Sequence, residues 1–325
     1  MKESAYDVLK ILDDAEEPVP VETIATTLGI PRSAVGREIR ELRGLGYDIS
    51  SGKEGYAVLH RTTRLLPYEI RRRLATQFIG RKIVYHERTA STTGVGRELL
   101  AGSEGTDLHG TVIVAEEQTG GVGRLGRAWV SPPGGLWFSL ILKPSIPIDH
   151  MFMVTMAGAI AVVRAIRKEC GIGALIKWPN DILIGDKKVA GILLELTAKD
   201  EEARHCLLGI GIDANVPLHE LSAGLRTQVT SLAAELGHDI DRASLLATVL
   251  REFERHYLLL ESQEYESIVR EWKSLSCTLE RRVRIATMTR TFEGEAIDID
   301  EFGALIVRKD NGTVERIIAG DCLHV

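Results

Sequence analysis

The chain has 325 residues, 44% of them hydrophobic, 26% charged and 5% aromatic, with a net charge of −6, a balance that fits a globular protein of two or three domains and argues against one that coats nucleic acid, though not against a small basic patch. Cys170, Cys206, Cys277 and Cys322 form no C-x-x-C pair, so neither a zinc site nor a disulfide framework is expected, and they read as buried thiols of a cytoplasmic protein. No apolar run reaches the roughly 18 residues of a membrane span, and the acid-rich, amphipathic start is unlike a signal peptide, so no membrane partner is expected.

In the first 60 residues Ala5, Val8, Leu9 and Leu12 recur at helical spacing, as do Val21, Ile24 and Leu28 ahead of Gly29. In "IPRSAVGREIRELRGLGYDI" a third helix would set Val35, Ile39 and Leu42 on one side and Ser33, Arg37 and Arg40 on the other. "YDISSGKEGYAVL" alternates around Ser-Gly-Lys-Glu-Gly, as a two-stranded wing would. Residues 1–60 therefore read as a winged helix-turn-helix that meets DNA through Arg32, Ser33, Arg37 and Arg40. The unit is acidic overall, seven Lys and Arg against eleven Asp and Glu, and a merely solvated helix presents the same kind of face. Four of the seven cations crowd into Arg32–Arg43, which favours DNA.

Residues 61–82 read as a linker, with "RRRL" at Arg71–Leu74 either ending a helix or forming a solvated charge run. Over 83–275 strands and helices alternate. "TVIVAEEQ" (Thr111–Gln118) and "GLWFSLILKP" (Gly135–Pro144) read as strands, Met151–Cys170 as a long buried helix, and Lys177–Leu196 as a hairpin turning at Gly185. "CLLGIGIDANV" (Cys206–Val216) reads as a further strand, and Ala243–Leu260 and Glu264–Ser274 as helices. This pattern predicts an α/β or α+β domain on a sizeable sheet. Residues 276–325 read as a small all-β barrel or meander with turns at Glu293-Gly294, Phe302-Gly303 and Asn311-Gly312.

The chemistry concentrates in "EEQTGGVGRLGRAWVSPPGGLW" (Glu116–Trp137). Gly121-x-Gly123-x-x-Gly126 matches a dinucleotide-binding string, but Pro132, Pro133, Gly134 and Gly135 forbid the helix that must follow it. What is left is a glycine-rich loop with Arg124 and Arg127 that ends at Trp129. Glycines admit an anion to backbone N–H groups, arginines fork onto carboxylate or phosphate, and an indole offers a stacking face. A surface loop with two solvated arginines is the alternative. No Walker A string, nucleophile elbow or His-x-x-x-His pattern occurs. An enzyme without its own nucleophile or metal cage must work by positioning and charge stabilisation.

Four stretches occur in an order that resembles the biotin protein ligase family, in the form whose N-terminal winged helix also represses the biotin operon. They are "STT" (Ser91–Thr93), the loop Gly121–Trp129, "KWPND" with "KVAGILLEL" (Lys177–Asp181 and Lys188–Leu196), and "GIGIDANV" (Gly209–Val216). The resemblance implies an α+β multidomain protein in which a class II synthetase-like mixed sheet follows the winged helix and an SH3-like β-barrel closes the chain. It implies that biotin is activated by ATP, supplied with Mg²⁺, to biotinyl-AMP and then passed to a lysine of a biotin-acceptor domain of a carboxylase or decarboxylase. Operator DNA and a homodimer are implied partners, and no tightly bound metal.

By motif position the resemblance assigns catalysis to Lys177, Arg124 and Arg127. It assigns biotin to Ser91, Thr92, Thr93, Gln118, Val122, Gly123, Arg124, Lys177, Gly191, Ile192, Gly209 and Gly211. It assigns ATP to Gly121, Arg124, Arg127, Trp129, Asn180, Lys188 and Asp213. Three positions depart from the family pattern: Thr93 stands for an asparagine, Val122 for an arginine and Asp213 for a frequent asparagine. Two further readings compete, a ligand-sensing repressor without catalysis and a lipoate-type ligase. Lys177, Arg124 and Arg127 together weigh against the first, and "KWPND…AGIL" with the C-terminal β segment against the second.

Overall fold

The structure is a computed structural model that describes residues 3–102, 106–197 and 205–325, and the chain divides into two units, Met1–Glu69 and Ile70–Val325. In the first unit, α1 (Glu3–Asp13), α2 (Val21–Leu28) and α3 (Arg32–Gly44) precede an antiparallel hairpin of β1 (Asp48–Ser51) and β2 (Tyr56–His60). Ala5, Val8, Leu9, Leu12, Ile24, Val35, Ile39 and Leu42 are all buried, so the expected apolar stripes are the ones that pack. α2 stops where Gly29 turns left-handed at φ 63°. The helix-turn-helix and hairpin predicted from sequence are present. The buried Glu69 carboxylate accepts from Tyr47 Oη at 3.0 Å and from Arg61 at 2.9 Å, and Arg61 also pairs with Asp13. That network ties α1 to the start of α4 (Pro67–Arg71).

The second unit is built on a seven-stranded sheet. Its elements in chain order are β3 (Ile83–Thr89), α5 (Thr92–Gly102), β4 (Thr111–Gln118), β5 (Leu136–Leu142), α6 (Phe152–Cys170), β6 (Ala174–Lys177), β7 (Asp181–Ile184), β8 (Lys187–Thr197) and β9 (His205–Ile212). There follow α7 (Ala223–Arg226), α8 (Leu232–Leu236), α9 (Arg242–Glu261) and α10 (Tyr265–Leu275). The strand order is β3-β4-β5-β9-β8-β7-β6, with β3 and β4 parallel across α5 and every other pair antiparallel. α6 is long and apolar enough to cross a bilayer, but from Met153 to Ile166 only Arg164 is exposed. It is the core helix, packed on α9 and on the sheet.

Alternation along β9 decides where a ligand can sit. A Cβ on Gly158 of α6 would touch Leu208 and Ile210, and one on Gly96 of α5 would run into Leu207 from the other side. So α6 covers the face of Leu208, Ile210 and Ile212, and α5 covers only the Leu207 end of the opposite face. On that opposite face Gly209 and Gly211 follow, paired with Ser139 and Trp137 of β5 and with Leu193 and Gly191 of β8. Small residues there leave room above the sheet.

The C-terminal segment forms a five-stranded antiparallel sheet of β10 (Arg281–Ala286), β11 (Thr291–Ile299), β12 (Leu305–Arg308), β13 (Val314–Ile317) and β14 (Asp321–His324), in the order β13-β12-β11-β10-β14. No pairing among the described residues closes β13 onto β14, so a closed barrel is not seen. The turns at Phe302-Gly303 and Asn311-Gly312 are found; the one expected at Glu293-Gly294 is not. β11 runs straight through Gly294, where a Cβ would come within 2.6 Å of the Arg308 carbonyl oxygen of β12. That glycine serves a close backbone approach, and the turn falls at 287–290, closed by Thr287 N–H to Arg290 O. β9 likewise ends at Ile212, short of the Val216 expected from its apolar run.

Candidate active site

Three groups of side chains meet on the open face of the sheet and at its rim. The first is a polar wall. Gln118, at the end of β4, accepts through Oε1 from Thr92 N–H at 2.8 Å and from Thr92 Oγ1 at 3.1 Å, and its Nε2 donates to Ser131 Oγ at 2.9 Å. Ser139 Oγ lies 2.8 Å from Thr92 Oγ1 and 3.2 Å from Thr93 Oγ1. Thr93 Oγ1 stands over Gly209, where a Cβ would approach it to 3.1 Å. Ser91 is not brought into this wall: its hydroxyl faces Gly94 N–H at 3.4 Å, at the start of α5. Ser139 escaped the sequence reading, although it is the one polar residue in the apolar strand "LWFSLIL", and a buried hydroxyl needs partners.

The second group is the glycine-rich loop. It folds back on itself: Trp129 N–H bonds Gly121 O at 2.8 Å, Gly123 N–H bonds Arg127 O at 2.7 Å, and Val122 bridges Ala128. Among the backbone N–H groups of Val122, Gly123 and Arg124, residues assigned to biotin, that of Gly123 is thus engaged within the loop. Leu125 stands left-handed at φ 57°, on a single 3₁₀ turn from Arg124 to Gly126. Arg124 donates to Asn180 Oδ1 and to Gly320 O, each at 3.0 Å, and burial lowers its pKa despite Asp321 and Asp181 nearby. Arg127 is exposed and forks onto Asp321. Gly320 and Asp321, in the last β segment, were not legible because 194 residues separate Arg127 from Asp321.

Lys177 ends β6, opposite Asp181 of β7. Among the described residues it makes no hydrogen bond or ion pair with Arg124, Arg127 or any other side chain, yet its charge is felt by Cys277, Cys322 and His324. Burial first, then Lys177, pushes the His324 imidazole down to about 4. The following residue is locked in place: Trp178 N–H donates to Thr278 Oγ1 at 2.9 Å and its indole N–H to Gly303 O at 3.1 Å. The Trp178–Pro179 peptide is cis. Asn180 Nδ2 donates to Ile192 O at 2.8 Å.

The third group is a ring platform. The Trp129 indole lies over Gly191 and Gly211, where a Cβ would come to 3.0 Å and 2.6 Å of its atoms. Any larger residue at Gly211 would expel it. Lys188 sits 4.8 Å from the Trp129 ring centroid and 2.6 Å from Asp181 Oδ1. Asp213, 6% exposed, lies two residues beyond Gly211. Its pKa is pushed up to about 8 by burial, with Lys188 acting the other way.

In the first unit, Ser33, Arg37 and Arg40 are exposed on α3 opposite its buried face. Arg32 pairs with Glu22 at 2.8 Å, and Arg37 folds onto the buried Glu38 at 3.2 Å. Arg40 alone of the four predicted DNA contacts is an arginine with no hydrogen bond or ion pair among the described residues.

Residues 5–57 match an HTH domain, 92–213 the biotin/lipoate A/B protein ligase family, and 278–325 the biotin protein ligase C-terminal domain. The chain is similar to the bifunctional ligase/repressor BirA of Bacillus subtilis, with 35% identity over 318 residues, 97% of each chain. With BirA of Escherichia coli it shares 28% identity over 303 residues, 92% of this chain and 91% of that one. The structure of biotin protein ligase from Aquifex aeolicus in complex with biotin and ATP superposes with a TM-score of 0.66 at 26% identity, over 75% of this chain and 100% of that chain.

Proposed function

We propose that this chain, which belongs to the biotin/lipoate A/B protein ligase family, joins biotin to a protein lysine at the cost of ATP and represses transcription through its helix-turn-helix. Biotin's carboxylate attacks the α-phosphorus of ATP, which enters with Mg²⁺; pyrophosphate leaves and biotinyl-AMP forms. The acceptor lysine then attacks the acyl carbon, and AMP leaves with the electron pair of the broken anhydride bond.

One observation carries this reading best. Arg124 is a half-buried cation whose hydrogen bonds among the described residues go to the neutral Asn180 and to a carbonyl, beside a polar wall and a ring platform. A desolvated guanidinium with neutral partners is a seat for an anion that arrives with the ligand. In our assignment Thr92, Thr93, Gln118 and Ser139 hydrogen-bond the ureido ring. Gly191, Ile192, Gly209 and Gly211 form its floor and that of the acyl chain. Val122, Gly123 and Arg124 face the carboxylate, and Lys177 stabilises charge at the α-phosphate. Gly121, Arg127, Trp129, Asn180, Lys188 and Asp213 surround the nucleotide. Ser91, just before α5, completes the biotin assignment.

We assign residues 1–60 to DNA, 61–82 to the linker, 83–275 to catalysis and 276–325 to an SH3-like domain that supports the loop arginines. Operator DNA bound by a homodimer, and a biotin-acceptor domain, are the partners this assignment requires. Incubation with radiolabelled biotin, ATP and Mg²⁺ tests it. Without an acceptor, the label should stay bound as an acid-labile anhydride; with one, it should move to a single lysine. Binding of biotin with neither product would leave a sensor rather than a ligase.

A further inference from the structure

Lys177 is clamped from both sides by the start of the C-terminal segment. The peptide before it offers its carbonyl, Ile176 O, to Cys277 N–H at 2.9 Å, and Ile176 bridges Ser276 in parallel register. The peptide after it donates its N–H, that of Trp178, to Thr278 Oγ1 at 2.9 Å. β6 is the outermost strand of its sheet, so residues 276–278 cover an edge that would otherwise lack a partner. The first bond of the clamp runs from backbone to backbone. The second depends on a side chain, so a substitution can remove it.

Thr278 is fully buried. Its oxygen accepts from Trp178, and its own proton needs an acceptor as well. Among the described residues the acceptor within reach is Nε2 of His324, on β14, at 3.3 Å. A neutral imidazole with its proton on Nδ1 can take that bond. The surroundings keep the ring neutral: burial, then Lys177 of β6 and Arg281 of β10, push it down to about 4, with Asp186, at the turn between β7 and β8, acting the other way. A line of hydrogen bonds thus runs from the Trp178 peptide through Thr278 to the terminal strand.

We propose that His324 is a positioning residue for adenylate formation: by accepting from Thr278 it orients the hydroxyl that holds the Trp178 peptide, and so aims Lys177. This rests on the ligase reading and adds to it a residue from the far end of the chain. Lys177 has no ion-pair partner among the described residues to hold its ammonium, so its aim depends on its backbone and packing. Misplacement by about 1 Å can cost about 10²-fold in rate.

The test is biotin-dependent pyrophosphate release at saturating ATP in the intact chain, in His324→Phe, His324→Gln and Thr278→Val, and in each of these combined with Lys177→Ala. Phenylalanine keeps a ring but cannot accept, and valine keeps the shape of threonine without its oxygen. Both should lower kcat about tenfold or more with little change in KM for biotin, because the interaction lost is one made in the transition state. His324→Gln, whose amide oxygen accepts, should keep most of the wild-type rate. In the Lys177→Ala background the Phe and Val substitutions should cost nothing further, since no ammonium is left to aim. Thr278→Val decides the matter should His324→Phe disturb β14. An unchanged kcat in Thr278→Val, the same fold loss with and without Lys177, or a Gln variant as slow as the Phe variant overturns the proposal and leaves the ligase intact. No pyrophosphate from the wild type removes the ligase reading and this proposal with it.

Discussion

Lys177 is a half-buried ammonium without an ion-pair partner among the described residues, held by a neighbour whose backbone and indole N–H groups are both bonded. A cation so placed is preorganised for charge that develops on a ligand. Lys177→Ala should lower the rate of biotin-dependent pyrophosphate release by about 10²–10³ with little change in melting temperature; a near-normal rate would refute the role. Asp213 gives a pH test of stability. Its carboxyl rises from the usual 3.8 to about 8 on folding. The unfolded chain therefore loses that proton near pH 4 and the folded one only near pH 8, so this group subtracts stability progressively between the two and by a fixed amount above. Asp213→Asn should melt at the wild-type temperature near pH 4 and above it near pH 8. A gain of equal size at both pH values would contradict the buried neutral acid. At this scale the sequence exposes Lys177, Arg124 and Trp129 through their motifs. Ser139 was legible only through its isolation in an apolar strand, and Asp321 not at all.

Strands such as Thr111–Gln118 and Leu136–Leu142 were legible as short, continuous apolar runs, because they are buried on both faces over most or all of their length. Gly294 misled because glycine marks both turns and close backbone approaches, and only the partner strand tells them apart. The glycine-rich loop shows a similar limit. Its composition suggests an anion site, but the bonds that hold it, from Arg124 to Asn180 and Gly320, come from elements far away in the chain. A hydrogen bond to a charged group contributes about 1.5–3 kcal/mol, and 1.4 kcal/mol is about tenfold in retention. Arg124→Gly removes both and should release biotinyl-AMP about tenfold faster or more. The readout is labelled biotin on an unrelated bystander protein. Label confined to the proper acceptor at the wild-type rate would show that the loop does not retain the intermediate.

Domain order was the most legible level, since the helix-turn-helix, the mixed sheet and the terminal β segment differ in periodicity. Which arginines of α3 are free to meet DNA was not, because pairing with Glu22 and Glu38 depends on packing. Arg37 holds the buried Glu38, so Arg37→Ala should lower the stability of the first unit as well as DNA affinity. Arg40→Ala is the cleaner probe. It should weaken operator binding and reduce the salt slope by about 1, read by titrating a fluorescent operator duplex at several salt concentrations. An unchanged slope would remove Arg40 from the interface. In our assignment the second unit makes an acyl-adenylate by positioning and charge, and exchange of labelled pyrophosphate into ATP reports that step. Exchange should require biotin and Mg²⁺, proceed without any acceptor protein and be lost in Lys177→Ala. Tight biotin binding with no exchange, or cleavage of ATP to ADP and phosphate, would contradict it.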